Sequence, residues 1–294
     1  MSSASERILR AMVFAIVVAA LVLAHSGSAF AGVPRVKHVV VVVEENHSYR
    51  SVVGSTAMPY LNSLAKKYGL ATRYYANTHP SIGNYFMLTT GKIITNNDGW
   101  TGTVTSNNIV RRLLIAGKTW KSYAESLPYS GYIGGDRYPY VKHHNPFAYF
   151  SDVRNSSNER LHLVPFSQFS KDLANGQLPN FSFVVPNALH NGHDGSLATA
   201  DDWLETRIAP LLSNSAFRKS GILVILFDES FNSDTAYGGG HIAMLVIGPS
   251  VKSGVRPGEF YQHQSTLKLA LQASGLDFDL GAAGSAATME EFFR

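Results

Sequence analysis

Five consecutive valines at residues 39–43 constrain the fold of this chain more than any other segment. Valine favours extended backbone, and a strand that is apolar at every position must be covered on both faces. Residues 221–227 (GILVILF) have the same character. The sequence therefore predicts an α/β fold with a mainly parallel central sheet and helices on both faces.

Strand-like and helix-like segments alternate along the rest of the chain. Extended segments are predicted at residues 36–43, 70–75, 118–123, 181–185, 221–227 and 242–247. Apolar residues at helical spacing predict helices near residues 58–68, 84–90, 107–116, 201–212 and 264–274. Residues 128–152 are rich in Tyr, Gly, Pro and His and predict a long irregular insertion.

The first 31 residues have the composition of a secretory leader. Basic residues precede an apolar run at residues 11–24, and Ala-Phe-Ala at residues 29–31 is a small-x-small cleavage pattern. The alternative is a retained membrane anchor, but a spanning helix needs about 20 apolar residues. We expect cleavage, export without a stable membrane anchor, and a single catalytic domain over residues 32–294.

The composition excludes several classes of protein. Apolar residues make up 45% of the chain, with a mean hydropathy of −0.02, which provides a large core and excludes a polytopic membrane protein. The chain has no cysteine, so thiolate chemistry, disulfides and cysteine-based zinc sites are excluded. The formal charge is only +4, and no run of basic residues predicts nucleic-acid binding.

Oxygen-bearing side chains directly follow both of the buried strands. Glu45 and Asn46 come after the valine run, and Asp228 and Glu229 come after residues 221–227. In open α/β sheets, ligands bind at the carboxyl ends of the strands. Carboxylate and amide oxygens suit one hard divalent cation such as Mg²⁺, Ca²⁺ or Mn²⁺. The alternative is that these acidic residues simply begin surface loops.

A serine in the segment THPSIGN (residues 78–84) is the candidate nucleophile. Ser81 lies between a predicted strand and a predicted helix, where backbone N–H groups and the helix dipole favour an anion. A hydroxyl that contacts a metal there can lose its proton and attack phosphorus. Asn84, one turn further on, could donate to a phosphate oxygen. The alternative is that Ser81 only caps the helix, which is a common use of serine.

Histidines in irregular segments are candidates for proton transfer. The loop PNALHNGHDGS (residues 186–196) contains His193, which could act as a general acid or belong to a polar surface turn. The segment KHHNPF contains His143 and His144, and at most one of two adjacent histidines is expected in the site. His263 precedes the last predicted helix and is either a site residue or only part of its first turn.

These candidates share one position in the predicted topology. Glu45, Ser81, His193 and Asp228 each follow a predicted strand. The ends of parallel strands lie at one edge of a sheet, so we expect these residues to converge there.

Six segments in this order, HVVVVVEENHSY, THPSIGNYFMLTTG, HHNPF, PNALHNGHDGS, LFDES and YQHQSTLKLALQASGL, resemble the phosphoesterase family of the alkaline phosphatase superfamily. This family includes secreted acid phosphatases and bacterial phospholipases C. The resemblance covers residues 36–276. The length, the leader and the His-Pro-Ser form are more similar to the acid phosphatase branch.

The resemblance implies a role for each candidate residue. The metal ligands would be Glu45, Asn46, Ser81, Asp228 and Glu229. Ser81 would also be the nucleophile that forms a phosphoserine, with His144 and His193 as further catalytic residues. Asn84 and His263 would bind substrate phosphate. If those histidines must be protonated for turnover, the pH optimum lies on the acidic side of about 6.5.

The sequence departs from the family pattern at two places. Phospholipase-type members have Asp-Met where this chain has Asn191-Gly192, and many members have a glycine-rich loop where this chain has SFNSD at residues 230–234. We therefore expect substrate recognition to differ. The expected substrates are small-molecule or lipid phosphate esters. The alternatives to an acid phosphatase are a phospholipase C that acts on phospholipid head groups and a binding protein that has lost turnover.

Overall fold

A seven-stranded sheet forms the centre of the computed structural model, which describes residues 32–294. The predicted leader at residues 1–31 lies outside the described residues. The strands are β1 (His38–Glu44), β2 (Gly69–Leu70), β3 (Tyr74–Tyr75), β4 (Trp120–Ala124), β5 (Leu163–Pro165), β6 (Phe181–Val185), β7 (Gly221–Phe227), β8 (Met244–Ile247) and β9 (Tyr261–Gln262).

Short helices accompany this sheet, and 3₁₀ turns occur elsewhere in the chain. The α-helices are α1 (Tyr49–Val52), α2 (Pro59–Lys67), α3 (Ser81–Thr90), α4 (Ile109–Ile115), α5 (Ser151–Arg154), α6 (Ser157–Arg160), α7 (Ser167–Ala174), α8 (Leu197–Trp203), α9 (Ala209–Ser213), α10 (Ser215–Ser220) and α11 (His263–Ala273). A π-helical turn, Leu204–Ile208, joins α8 to α9.

The order of strands in the sheet is β2-β8-β7-β1-β6-β4-β5. Strand β1 pairs in parallel with β7 on one side and with β6 on the other. Strand β8 is antiparallel to both β7 and β2, so it alone runs against the other strands of this sheet. The prediction of a mainly parallel α/β fold is therefore confirmed.

The valine run lies at the centre of the core. The five valines of β1 and residues 222–227 of β7 are at most 2% exposed, and Gly221 is also buried. Because these two strands pair along their whole length, from His38 opposite Gly221 to Glu44 opposite Phe227, they end at the same level. The residues that follow them must therefore be neighbours.

The prediction of one continuous strand at residues 70–75 was wrong. The structure has two separate strands of two residues there, because β2 pairs with β8 in the central sheet and β3 pairs with β9 in a small second sheet. The next helix, α3, begins at Ser81, three residues before its predicted start. Ser81 therefore follows the small sheet, and it does not lie at the end of a central strand.

The irregular insertion at residues 128–152 is confirmed, with 3₁₀ turns at Lys142–His144 and Pro146–Tyr149. Most of its aromatic side chains pack in the core, at 8% exposure or less: Tyr132, Tyr140, Phe147, Tyr149 and Phe150. Among the helices of residues 32–294, none combines the length and the apolar character needed to cross a bilayer.

Buried Asp201 fixes the start of α2, and its removal should destabilise the protein. Its Oδ2 accepts from the N–H of Tyr60 at 2.7 Å and its Oδ1 from the N–H of Leu61 at 2.8 Å. We expect Asp201→Ala to lower the free energy of unfolding by about 2–3 kcal/mol, because two N–H groups at a helix start lose their acceptor. Chemical denaturation at neutral pH measures this.

The matched control is Asp202→Ala, which removes the exposed neighbouring carboxylate. Its effect should stay within about 0.5 kcal/mol, as for most surface substitutions. Equal effects of the two substitutions would contradict the role assigned to Asp201.

Candidate active site

The ends of β1 and β7 bring two distant acidic segments into contact. The backbone N–H of Asp228 donates to the carbonyl of Glu44 at 2.9 Å, which continues the parallel pairing by one step. Oδ1 of Asp228 then accepts from the N–H of Asn46 at 3.2 Å and from the N–H of Glu229 at 2.6 Å. The two predicted oxygen-ligand pairs therefore form one cluster.

Two oxygens of this cluster are buried and have no hydrogen-bond partner in the part of the chain that the structure describes: Oδ1 of Asn46 and Oδ2 of Asp228. Buried polar atoms without partners are rare, and at a cluster of acceptors they indicate room for a cation. Asn46 is held in the left-handed region, with φ of 55°, which asparagine tolerates better than most residues.

Ser81 reaches the same cluster from the start of α3. It is 3% exposed, and its hydroxyl donates to Oε2 of Glu45 at 3.2 Å. The residue at the N-cap position of α3 is Pro80, which has no side-chain cap bond, and the N–H of Ile82 instead donates to Oδ1 of Asp98 at 3.1 Å. Ser81 therefore does not cap the helix, and its hydroxyl lies among the carboxylates at the positive end of the helix dipole.

Asn84 holds the turn before Ser81 in place. Its Oδ1 accepts from the N–H groups of Asn77 and Thr78, at 3.0 and 3.2 Å. Its Nδ2 donates to the carbonyl of Thr78 at 2.8 Å and to Oε2 of Glu229 at 3.4 Å. All of its donors are used, so the geometry assigns Asn84 to positioning, where the resemblance implied phosphate binding.

Tyr85 and His144 both lie next to the second oxygen of Glu45. The phenol of Tyr85 donates to Oε1 at 2.5 Å, and Nε2 of His144 lies 3.3 Å from the same atom. The rings of Tyr85 and His144 stack with their centroids 5.3 Å apart. His144 is 1% exposed, so the structure places it behind Glu45 and not on the open side of the site.

Burial controls the charge of this cluster. It raises the pKa of Glu45, and the neighbouring Asp228 raises it further, while the Tyr85 hydrogen bond opposes both effects. Burial and the charge of Glu229 raise the pKa of Asp228 to about 8. Burial also lowers the pKa of His144 well below its ordinary value, so this ring is neutral near Glu45. The carboxylates therefore need a cation to share the site in their ionised forms.

His79 provides part of that positive charge. Its Nδ1 lies 3.1 Å from Oε2 of Glu229, and its Nε2 lies 3.0 Å from the carbonyl oxygen of Asp234. The hydrogen bond to Glu229 raises the pKa of His79 against the opposing effect of burial. This ring therefore links the acidic cluster to the loop that follows it.

His193 is the histidine that faces solvent beside the cluster. Its side chain is 40% exposed, and its Nδ1 lies 2.6 Å from Oδ1 of Asp194. Its backbone N–H donates to Oδ1 of Asn191 at 2.9 Å, and its ring centroid is 5.9 Å from that of His144. A carboxylate on Nδ1 leaves Nε2 available for proton transfer.

His263 lies behind Asp228, away from the open side of the site. It is fully buried, its Nε2 contacts the carbonyl oxygen of Asp228 at 2.5 Å, and its Nδ1 contacts the phenol of Tyr74 at 3.1 Å. Burial lowers its pKa to about 4. Both ring nitrogens of His263 have partners. The geometry therefore indicates that His263 supports the residue that follows β7 and does not bind phosphate.

Three further residues of the site, Tyr85, His79 and Asp194, were not among those predicted from the sequence. Tyr85 could have been found from its spacing, since residues i and i+4 share a helix face and Ser81 is four residues earlier. Asp194 follows His193 directly, and an adjacent carboxylate is a common partner of a histidine. No pattern in the sequence indicates that His79 contacts Glu229.

A metal ion could be held by the oxygens that converge here. Among residues 32–294, the His, Asp and Glu side chains do not by themselves form a group of three that could hold one. A set of metal ligands here would therefore need the amide of Asn46 and the hydroxyl of Ser81 as well as the carboxylates. All of these donors are hard oxygens, which suit Mg²⁺, Ca²⁺ or Mn²⁺.

The chain is similar to known phosphatases. The model of the Phosphoesterase family matches residues 55–276. The phosphatidylinositol-3-phosphatase of Mycobacterium tuberculosis is 34% identical over 252 residues, which cover 85% of this chain and 81% of that protein. A probable acid phosphatase of Kluyveromyces lactis is 30% identical over 244 residues, which cover 79% of this chain and 56% of that protein. The match thus spans about half the length of the fungal relative.

The fold is similar to that of an alkaline phosphatase superfamily protein from Vibrio parahaemolyticus, with a TM-score of 0.59 at 14% identity, over 90% of this chain and 73% of that one. The class of protein is therefore a hydrolase with an alkaline-phosphatase-like fold that acts on phosphate esters. Within that class, this chain belongs to the Phosphoesterase family.

The contact of Tyr85 with Glu45 should matter for turnover as well as for stability. We expect Tyr85→Phe to keep the buried ring but to lower the turnover of p-nitrophenyl phosphate on the order of tenfold, the usual effect of losing a second-layer hydrogen bond. The free energy of unfolding should fall by about 1.5–3 kcal/mol, because a carboxylate loses a donor.

Tyr123→Phe is the matched control. The phenol of Tyr123 donates to Oδ2 of Asp172 at 2.7 Å, a bond of the same kind between β4 and α7. This variant should lose stability to a similar extent while keeping its turnover. If both variants lose turnover equally, Tyr85 has no special effect on Glu45.

Proposed function

We propose that this protein is a metal-dependent acid phosphatase that cleaves phosphate monoesters through a phosphoserine on Ser81. The single observation that carries the proposal is the contact of the Ser81 hydroxyl with Glu45 inside a buried carboxylate cluster at the start of α3. Relatives named as acid phosphatases support the monoester substrate. The proposal includes export, on the leader-like composition of residues 1–31.

The residues that would hold the metal fit a hard cation. Oδ1 of Asn46 and Oδ2 of Asp228 are buried acceptors without partners among residues 32–294. Glu45, Glu229 and Ser81 complete the proposed set. When bound, a divalent ion would neutralise the carboxylates, favour the deprotonated Ser81 hydroxyl and offset the charge of the phosphoryl group.

Ser81 would act as the nucleophile. Its oxygen would form a bond to phosphorus while the bond from phosphorus to the leaving oxygen breaks. The N-terminus of α3 would stabilise the negative charge of the phosphoryl group through the helix dipole. Asn84 and its bonds to the turn at Asn77 and Thr78 keep this serine in place.

His193 would transfer the protons. Its contact with Asp194 through Nδ1 orients the ring, so that Nε2 can donate a proton to the departing oxygen. The same nitrogen would then accept a proton from the water that attacks the phosphoserine, while the bond from phosphorus to the Ser81 oxygen breaks, which releases phosphate and restores the deprotonated serine. His193 is suited to this role because it is exposed, whereas His144 and His263 are buried.

The packing of the insertion favours a monoesterase over a phospholipase C. A lip for acyl chains would need exposed aromatic side chains, but only Tyr129 and Tyr138 of the insertion are large and exposed, at 62% and 67%. The other large aromatic residues there are buried. We therefore favour monoesters over phosphodiesters of lipids.

The nucleophile is tested by Ser81→Ala. We expect turnover of p-nitrophenyl phosphate to fall by roughly a thousandfold or more, because the group that forms the covalent bond is missing. Folding, measured by circular dichroism, and bound metal, measured by elemental analysis, should stay near wild type. A well-folded variant that keeps its turnover would exclude Ser81 as the nucleophile.

The matched control is Ser167→Ala, since Ser167 is the first residue of α7 as Ser81 is of α3, but it is exposed. This control should keep full turnover. Addition of a chelator to the wild type should abolish turnover, and Mg²⁺, Mn²⁺ or Ca²⁺ should restore it. Turnover that survives complete removal of metal would contradict metal dependence, and turnover only of p-nitrophenylphosphorylcholine would favour the diesterase.

A further inference from the structure

A cleft next to the active site has no part in the chemistry described above. Its volume is about 350 Å³, within the range of small-molecule sites. The polar and aromatic residues that line it are Ser48, Tyr49, Arg50, Tyr75, Asp234 and His241.

The walls of the cleft come from the same chain segments as the active site. Ser48 follows Asn46 by two residues, Tyr75 precedes Ser81 by six, and Asp234 follows Glu229 by five. Each segment thus connects a residue of the cleft to a residue of the active site along the chain.

One side chain, His79, connects the cleft to the acidic cluster. It contacts Oε2 of Glu229 at 3.1 Å on one side and the carbonyl oxygen of Asp234 at 3.0 Å on the other. The hydroxyl of Ser230 donates to that same carbonyl oxygen at 2.9 Å. The side chain of His79 therefore lies between Asp234, which lines the cleft, and Glu229 of the acidic cluster.

The loop that forms one wall packs tightly against the turn before Ser81. Gly238 has a φ of 111°, and a Cβ there would collide with the carbonyl oxygen of Asn77. A Cβ at Gly239 would collide with the carbonyl oxygen of Thr78. This loop belongs to the region where the sequence departs from the family pattern, and its backbone fixes the cleft relative to the nucleophile.

The aromatic part of the cleft is a stack of rings. Tyr49 and His241 are parallel within 6°, with centroids 4.3 Å apart, and Tyr75 stacks on His241 at 4.8 Å. A rigid aromatic stack is a suitable surface for a flat or cyclic group, because its rings lose little conformational freedom when a ligand binds.

The polar groups of the cleft include both donors and acceptors. Arg50 is exposed and forms no ion pair within residues 32–294, so its donors are available. The carboxylate of Asp234 accepts from the N–H groups of Ala236 and His241, at 3.2 and 3.1 Å, and retains further acceptor capacity. The hydroxyl of Ser48 can donate and accept.

We propose that this cleft binds the leaving group of the phosphate monoester and that it is built for a neutral cyclic polyol such as a sugar or a cyclitol. Hydroxyl groups both donate and accept, which matches Arg50, Asp234 and Ser48 together. An acyl chain would find no long aliphatic side chain among the lining residues, and one cation, Arg50, and one anion, Asp234, together favour a ligand without net charge. This proposal rests on the proposed phosphatase function.

The test compares two monoesters with similar alkoxide leaving groups, glucose 6-phosphate and ethyl phosphate, on the metal-loaded full chain. The wild type should have a higher kcat/KM for the sugar phosphate. In Arg50→Ala, KM for glucose 6-phosphate should rise about tenfold with little change in kcat, because a binding hydrogen bond is lost in the ground state and the transition state alike. The effect on ethyl phosphate should stay within about twofold.

Arg50→Lys should recover part of the loss, since a cation and its donors remain. The matched control is Arg218→Ala, an exposed arginine in α10, which precedes β7 and lies at the opposite edge of the sheet. This control should leave both substrates unchanged.

The possible results distinguish a failure of the cleft proposal from a failure of the proposed phosphatase function. If the wild type cleaves both esters with equal kcat/KM and Arg50→Ala changes neither, the leaving-group proposal fails and the phosphatase function stands. If Arg50→Ala changes both esters equally, Arg50 acts on the phosphoryl group and the cleft has no role in selection. If the wild type cleaves neither ester, the proposed function fails and the cleft proposal fails with it.

Discussion

The parallel pairing of β1 with β7 determines the rest of the site, because it places like charges side by side. Glu45 and Asp228 follow the paired strand ends directly, in the fully buried centre of the sheet edge. Burial of carboxylates costs free energy unless they are protonated, hydrogen-bonded or neutralised by a cation. Hydrogen-bond donors around the cluster stabilise part of this negative charge, and the proposed divalent ion would neutralise the remainder.

Several polar side chains at this edge of the sheet hold other groups of the site in position. Tyr85 fixes one oxygen of Glu45 and stacks on His144, Asn84 fixes the turn before Ser81, and His263 contacts the backbone of Asp228. Each of these side chains is buried, and its partners leave it little freedom. A preorganised frame of this kind reduces the reorganisation that accompanies charge development in a reaction.

A few polar groups of the site remain available for a metal ion or a substrate. The hydroxyl of Ser81, the unpartnered oxygens of Asn46 and Asp228, and the outer nitrogen of His193 could all face a phosphoryl group. The loop after Glu229 then continues along the cleft of Tyr75 and Arg50. The same segments could thus supply both the chemistry and the recognition of the leaving group, which would couple substrate choice to the loop that departs from the family pattern.

The sequence by itself determined the α/β class, the two buried strands and the acidic pairs that follow them, because a run of apolar β-branched residues permits few structures. It also indicated Ser81 as the serine at a helix start. Only the tertiary structure decided that Ser81 approaches from a second, smaller sheet and that His144 and His263 lie behind the carboxylates. The direction in which a side chain points depends on contacts between residues far apart in the chain, such as Tyr85 with Glu45, and no local pattern encodes those contacts.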